Sequence, residues 1–157
     1  GERWIYYCCG PTVGYSNRFM GMHSARTRFM GMQMYKYGIE GFLHWGLNFY
    51  NNQFSHDHID PFLNGNAGYW AGGGDAVSIY PGRHGTPLES LRLIAFRQGL
   101  EDIRALKLCE SLYSKEEVVS RLEELFGETI TFKKCVNDTE TMEKMRATID
   151  QMIMEKV

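Results

Sequence analysis

Apolar and polar positions alternate in two styles along this chain, and the change falls near residue 88. Before it, short apolar runs end in glycine and proline. Trp4-Ile5-Tyr6-Tyr7-Cys8-Cys9 stops at Gly10-Pro11 and predicts a buried strand followed by a loop. Asn17 is placed to cap a helix over 18–37, in which Phe19, Met22, Arg26, Phe29, Met30, Gln33, Met34 and Tyr37 recur at helical spacing. Gly38 is placed to end it in a left-handed conformation, and Gly21 and Gly31 are expected to mark close packing against a sheet. Ile39 to Trp45 reads as a second strand. Strand, long helix and strand together predict a βαβ unit with parallel strands and a right-handed crossover. A long stretch from Gly46 to Gly74, rich in Asn, Gly, His and aromatics, follows, and a loop of that length in a compact domain is usually functional. Asp75 to Tyr80 reads as a third strand, closed by Pro81-Gly82.

After residue 88 the pattern is amphipathic. A helix is expected over 89–108, with Ser90 near its start and Leu93, Phe96, Leu100, Ile103 and Lys107 on one stripe. A second begins at Ser114, where Ser114 and Glu117 form a capping box; Val118, Leu122 and Leu125 face inward and Gly127 ends it. Residues 128–135 read as extended or loop. A last helix starts at Asp138 or Thr139, with Met142, Met145, Ile149, Met152 and Ile153 as its apolar face. The expected class is therefore α/β: about three parallel strands within residues 1–108, then a helical extension over 109–157. Three strands cannot close a barrel, and a parallel sheet needs both faces covered. The sheet must find partners in a second copy or in a larger fold. An opening Gly1-Glu2-Arg3-Trp4, without Met or a signal-peptide layout, is in keeping with a cut from something longer.

Composition narrows the function. Hydrophobic residues are 43% and charged residues 23%, an ordinary globular balance. A formal net charge of -2 leaves no basic surplus to neutralise a phosphate backbone, which argues against nucleic acid as a partner. No apolar run approaches a membrane span. Cys8, Cys9, Cys109 and Cys135 match no zinc spacing and read as small buried hydrophobes, with Cys8 and Cys9 on opposite faces of a strand. Aromatics, 13% of the chain, crowd into its first eighty residues.

That crowding suggests a site. In α/β folds ligands gather at the C-terminal ends of strands, here residues 7–10, 44–50 and 80–83. A flat aromatic face packs on the C–H face of a pyranose while amides and hydroxyls bind its hydroxyl groups. Trp45 is the candidate sugar platform, with Asn48 and Tyr80 as hydrogen-bond partners; that Trp45 only fills the core stays open. His44, His56, Asp57, His58 and Asp60 offer a metal reading, against which stands a solvated loop. The Gly72-Gly73-Gly74 run precedes a strand and is no phosphate fingerprint. Glu101 and Asp102 are neighbours on a helix and point about 100° apart, so a structural network with Arg97 and Arg104 is expected. Arg26 and Arg28 are expected to dock a helix face onto neighbouring loops. No cofactor is called for.

Several motifs then occur in a fixed order: Tyr6-Tyr7-Cys8-Cys9-Gly10-Pro11; Asn17-Arg18-Phe19-Met20; Tyr35 to Trp45; Gly74-Asp75 with Tyr80-Pro81-Gly82; and Ser90-Leu91-Arg92 with Gly99-Leu100-Glu101-Asp102. Over about residues 3–108 the chain resembles the C-terminal region of the bacterial domain of unknown function 4091, the module related to glycoside hydrolase family 123. The resemblance implies the C-terminal part of a (β/α)8 TIM-type barrel, whose last three strands these would be. It implies a retaining, substrate-assisted β-N-acetylgalactosaminidase-type parent, secreted or periplasmic in a bacterium, acting on an N-acetylhexosamine-type glycan. The family's adjacent Asp-Glu pair lies upstream of every matched motif, and Glu101-Asp102 belongs to a different motif. What carries over is the pocket wall: Tyr7, Trp45, Asn48 and Tyr80, with no catalytic residue and no metal. The chain is thus expected to be inactive alone and to self-associate through exposed sheet edges. The alternative is a carbohydrate-binding or oligomerisation module without hydrolytic activity.

Overall fold

The computed structural model describes residues 1–157 and contains four helices and two small sheets. β1 (Trp4–Tyr6) and β2 (Gly41–Leu43) pair in parallel, Trp4 opposite Gly41 and Tyr6 opposite Leu43. Between them runs α1 (Ser24–Tyr37), so the expected β–α–β unit is present. Its helix starts six residues later than the periodicity suggests. Asn17 does not cap it: its side chain donates to the Cys8 and Pro11 carbonyls and accepts from Arg18 N–H, bracing the loop after β1. His23 caps instead, its Nδ1 accepting from Ala25 N–H at 3.1 Å. The other end is as expected, with Gly38 left-handed at φ 62°.

The third strand differs from the parallel strand expected over 75–80. Residues 75–78 run antiparallel to the loop after β2, with Asn48 opposite Val77 and Ser78 N–H on the Leu47 carbonyl. Only β3 (Ile79–Pro81) is a strand, and it pairs antiparallel with β4 (Pro87–Glu89) in a separate hairpin. The Gly82–Thr86 turn, closed by Gly82 N–H on the Thr86 carbonyl, folds the chain straight back. An apolar run cannot by itself specify which neighbour a strand takes, and here a local hairpin takes it. No closed barrel forms; the sheets are two-stranded.

The helices after the hairpin are α2 (Leu91–Leu112), α3 (Lys115–Phe126) and α4 (Thr139–Met154). Ser90, Ser114 and Asp138 cap them, each accepting a backbone N–H two or three residues into the helix, and Gly127 ends α3 at φ 81°. Val118, Leu122, Met142, Met145, Ile149 and Met152 are buried as expected, while residues 128–135 form a loop whose Ile130 is buried. The largest core joins these side chains to Phe29, Met32 and Tyr35 of α1 and to Leu106 and Cys109 of α2.

Helix α2 keeps part of the expected stripe, with Phe96 and Ile103 packed half-buried on the core, but Leu100 and Lys107 are exposed and its most buried face lies beside that stripe. Arg92, Ala95, Gly99, Asp102, Leu106 and Cys109 point inward, while Leu91, Leu100 and Leu108 are exposed. Asp102 has no solvent exposure and pairs with Arg28 of α1 at 2.7 Å and Arg146 of α4 at 3.0 Å, so the expected ion-pair network exists with other partners than Arg97 and Arg104. Arg97 does pair with Glu101 as expected, at 3.8 Å, an exposed pair of little energetic weight. Arg26 docks on the Thr12 and Tyr15 carbonyls of the loop after β1, as expected.

The α1–α2 crossing is set by two glycines. A Cβ at Gly99 would lie 2.7 Å from the Arg28 carbonyl oxygen, and one at Gly31 would collide with the Gly99 peptide. Gly31 therefore serves helix–helix packing and not helix–sheet packing; Gly21 lies outside the helix in open space. Helix propensity alone would make Gly31→Ala stabilising by about 1 kcal/mol. Overpacking at this contact reverses the sign, and Gly31→Ala is expected to lose roughly 1–3 kcal/mol in urea denaturation. A stabilised variant would refute the close-crossing account.

Candidate functional site

The two parallel strands end on the same side, and the side chains just past those ends converge on Asp75. The Gly72-Gly73-Gly74 run delivers it: Gly74 adopts φ 86°, and Asp75 N–H closes a turn on the Gly72 carbonyl at 2.9 Å. Gly46 permits the approach, because a Cβ there would meet the Asp75 carbonyl oxygen and Ala76 Cα at 2.7 Å. The Asp75 carboxylate is fully buried. His44 Nε2 donates to Oδ1 at 2.8 Å, and Trp45 Nε1 donates to Oδ2 at 2.9 Å. On its other side the His44 ring meets the Gly46 backbone, with Nδ1 2.9 Å from the carbonyl oxygen and 3.1 Å from the nitrogen. The Cys9 thiol is a third donor to the same carboxylate.

Burial alone would raise the Asp75 pKa, but the hydrogen bonds from His44, Trp45 and Cys9 outweigh it and hold the carboxyl below its ordinary 3.8. The same contact, with burial as the larger cause, pushes the Cys9 thiol up to about 11. Cys8 and Cys9 lie past the end of β1, half-buried and exposed, so the expectation of one on each face of the strand does not hold; Cys109 is buried, as expected.

The four pocket-wall residues are distributed unevenly. Trp45 adjoins Asp75 and packs against Phe49 at 5.3 Å and Trp70 at 5.0 Å between ring centroids, leaving it half-buried. Asn48 is exposed, opposite Val77. Tyr80 packs on Phe62 at 5.1 Å, and its hydroxyl accepts from Arg92 at 3.3 Å. It lines an open cleft of about 520 Å³ with Met20, Pro61, Phe62, Leu88 and Glu89. Trp45 and Asn48 thus lie beside the 75–80 segment, and Tyr80 ends it. Tyr7 lies apart: it is buried against Met30 and Met34 of α1, edge-on to Phe42, and burial pushes its hydroxyl up to about 12. The metal reading finds no gathered ligands. Asp57 is bound to Asn52, Asp60 accepts from Phe62 N–H, His58 packs on Tyr50, and no three His, Cys, Asp or Glu side chains are grouped to hold an ion.

Asp75 is the residue that sequence reasoning passed over as a site. The signal available was Gly74-Asp75 itself, a carboxylate following a glycine run where a buried strand was expected to begin.

An α/β unit that gathers aromatic and carboxylate side chains at the C-terminal ends of its parallel strands has the layout of a ligand-binding α/β domain. Residues 1–109 match the family model for the glycoside hydrolase 123 catalytic domain, and the chain belongs to that family. Comparison with curated proteins gives no match. No helix is long and apolar enough to cross a membrane.

The depressed Asp75 pKa fixes a sign. A carboxyl with a folded value below its unfolded value stabilises the fold fully above the unfolded value, and that stability is lost as pH falls through the folded one. Asp75→Asn is expected to cost about 3 kcal/mol near neutrality, because it breaks a buried charge-assisted cluster. The gap to wild type should hold from pH 5 to pH 8 and shrink below about pH 4, as measured by chemical denaturation across pH. A gap independent of pH down to pH 2 would mean that the fold does not depress the Asp75 pKa.

Proposed function

We propose that this chain forms one wall of a glycan-binding pocket in a family 123 barrel, and that it binds sugar without cleaving it alone. The observation that carries the reading is the convergence of Trp45, His44 and Cys9 on Asp75 at the C-terminal ends of β1 and β2, where barrel enzymes hold their substrates. Asp75 takes a positioning part: its bond to Nε1 sets the plane of the Trp45 ring, the platform for an N-acetylhexosamine. Asn48 and Tyr80 are the candidate polar partners, and Tyr7 supports the wall from the helix side.

Chemistry of cleavage is assigned elsewhere. A general acid needs a carboxyl raised toward working pH, whereas Asp75 is held down and its oxygens are already engaged. Asp102 is buried between two arginines, and Glu101 projects from the outer side of α2. The family's Asp-Glu pair has no counterpart among the matched motifs.

An open barrel explains the exposed sheet. Trp4, Tyr6 and Leu43 are 61%, 51% and 55% exposed, while Ile5, Tyr7 and Phe42 between them pack toward the helices. In a closed barrel the first three would face the lumen. Each strand of the pair also keeps one edge free, which is a template for pairing.

Two measurements follow. The chain is expected to give no turnover of 4-nitrophenyl β-N-acetylgalactosaminide, yet to show saturation transfer to N-acetylgalactosamine that falls at least several-fold in Trp45→Ala. Turnover would overturn the division of labour; transfer unchanged by the substitution would overturn Trp45 as the platform. Sedimentation velocity should reveal self-association that rises with concentration, and a monomer throughout would remove the exposed sheet as an adhesive surface. Association with no sugar contact at all would favour a purely oligomerising module.

A further inference from the structure

The loop between β1 and α1 carries a cation that the fold buries and then leaves without an ionic partner. Arg18 is only 5% exposed. Its guanidinium lies between the Phe42 ring at 5.6 Å and the Phe96 ring at 5.7 Å. Its one side-chain hydrogen bond is long, 3.4 Å from Nη2 to the Gly46 carbonyl, and Nε has no partner. Arg92, also buried and close enough to repel it, spends its donors on neutral acceptors: the carbonyls of Gly74, Val77 and Arg18, and the Tyr80 hydroxyl. The carboxylate that acts on Arg18 is Asp75, but Asp75 accepts from His44, Trp45 and Cys9 and forms no hydrogen bond with either arginine. Arg18 therefore lies in the field of a buried carboxylate whose hydrogen bonds go to other groups. A buried charge without a partner is costly, and folds supply a counter-ion where they can. Burial draws the Arg18 pKa down to about 10, the direction expected of a cation short of negative charge.

Beside Arg18 is a cavity of about 220 Å³, lined by Arg18, Phe42, His44, Gly46, Leu47, Leu93 and Phe96. Its walls are aromatic and aliphatic except at Arg18 and His44. The early turns of α2, which carry Leu93 and Phe96, add the positive end of a helix dipole. A small anion suits such a cleft, because the guanidinium offers directed N–H donors. We propose that the cleft between β2 and α2 binds a small monovalent anion, of the chloride or formate type, on the guanidinium of Arg18 that lines it. The site lies on the helix-facing side of the sheet and does not depend on the glycan reading.

The test uses the whole chain and needs no substrate. In a buffer of constant ionic strength, gluconate is replaced stepwise by chloride, bromide or formate, and thermal unfolding is followed by circular dichroism. A ligand present at ten times its dissociation constant is expected to raise Tm by roughly 3–5 °C. In parallel the chloride NMR linewidth should broaden in the presence of protein. Response to the halides identifies a spherical-ion site, and response to formate alone a carboxylate site; both fit the proposal. Arg18→Met should abolish the rise and the broadening, and Arg18→Lys should keep part of both. Should Arg18→Met not fold, bromide located by anomalous scattering within hydrogen-bond distance of the wild-type Arg18 guanidinium decides the matter. A Tm and linewidth indifferent to all three anions, a response that survives Arg18→Met, or bromide bound elsewhere would overturn the assignment.

Discussion

The upper end of this domain is held by one buried carboxylate. Asp75 draws a donor from the loop after β1 and two from the end of β2 into a space that excludes water. Charge-assisted hydrogen bonds in such a place are strong when complete and costly when broken. Gly46 and Gly74 exist for this arrangement, one permitting backbone approach and the other the left-handed turn that delivers the carboxylate. The loops of the candidate site are thereby tied to the strands instead of trailing from them. The same turn explains how Arg92 can be buried nearby, wrapped around the Gly74 and Val77 carbonyls that flank Asp75.

Helices α3 and α4 were legible in the sequence because their stability is local. A serine or aspartate at the cap, apolar residues every third or fourth position and a left-handed glycine all act within a few turns, so reading them needs no tertiary knowledge. Helix α2 was misread for the opposite reason. Its inner face is Arg92, Gly99 and Asp102, residues that periodicity places in solvent, and they turn inward only because Arg28, Arg146 and the backbone of α1 await them. Leu100 reads as core but is exposed here.

The site was legible in composition and illegible in connection. Trp45, Asn48 and Tyr80 announce themselves by type and by position after apolar runs. Asp75 does not, because its partners His44 and Trp45 stand some thirty residues earlier in the chain and nothing in the intervening glycine- and asparagine-rich loop signals the closure. The misassigned third strand has the same origin. Residues 75–78 look like any buried strand, yet the backbone they pair with is the long loop, a partner that has no strand pattern.

The largest core has a consequence for how the molecule assembles. It joins Phe29 and Met32 of α1 to Met142 and Met145 of α4 and contains no side chain of either sheet. On a ribosome adding about 5–20 residues per second, α1 emerges roughly 6–20 seconds before the methionines that will cover it. Through that interval the underside of α1 is presented to the cell without its full cover. The chain is thus most vulnerable during its own synthesis, and its last helix acts as the latch that ends that exposure.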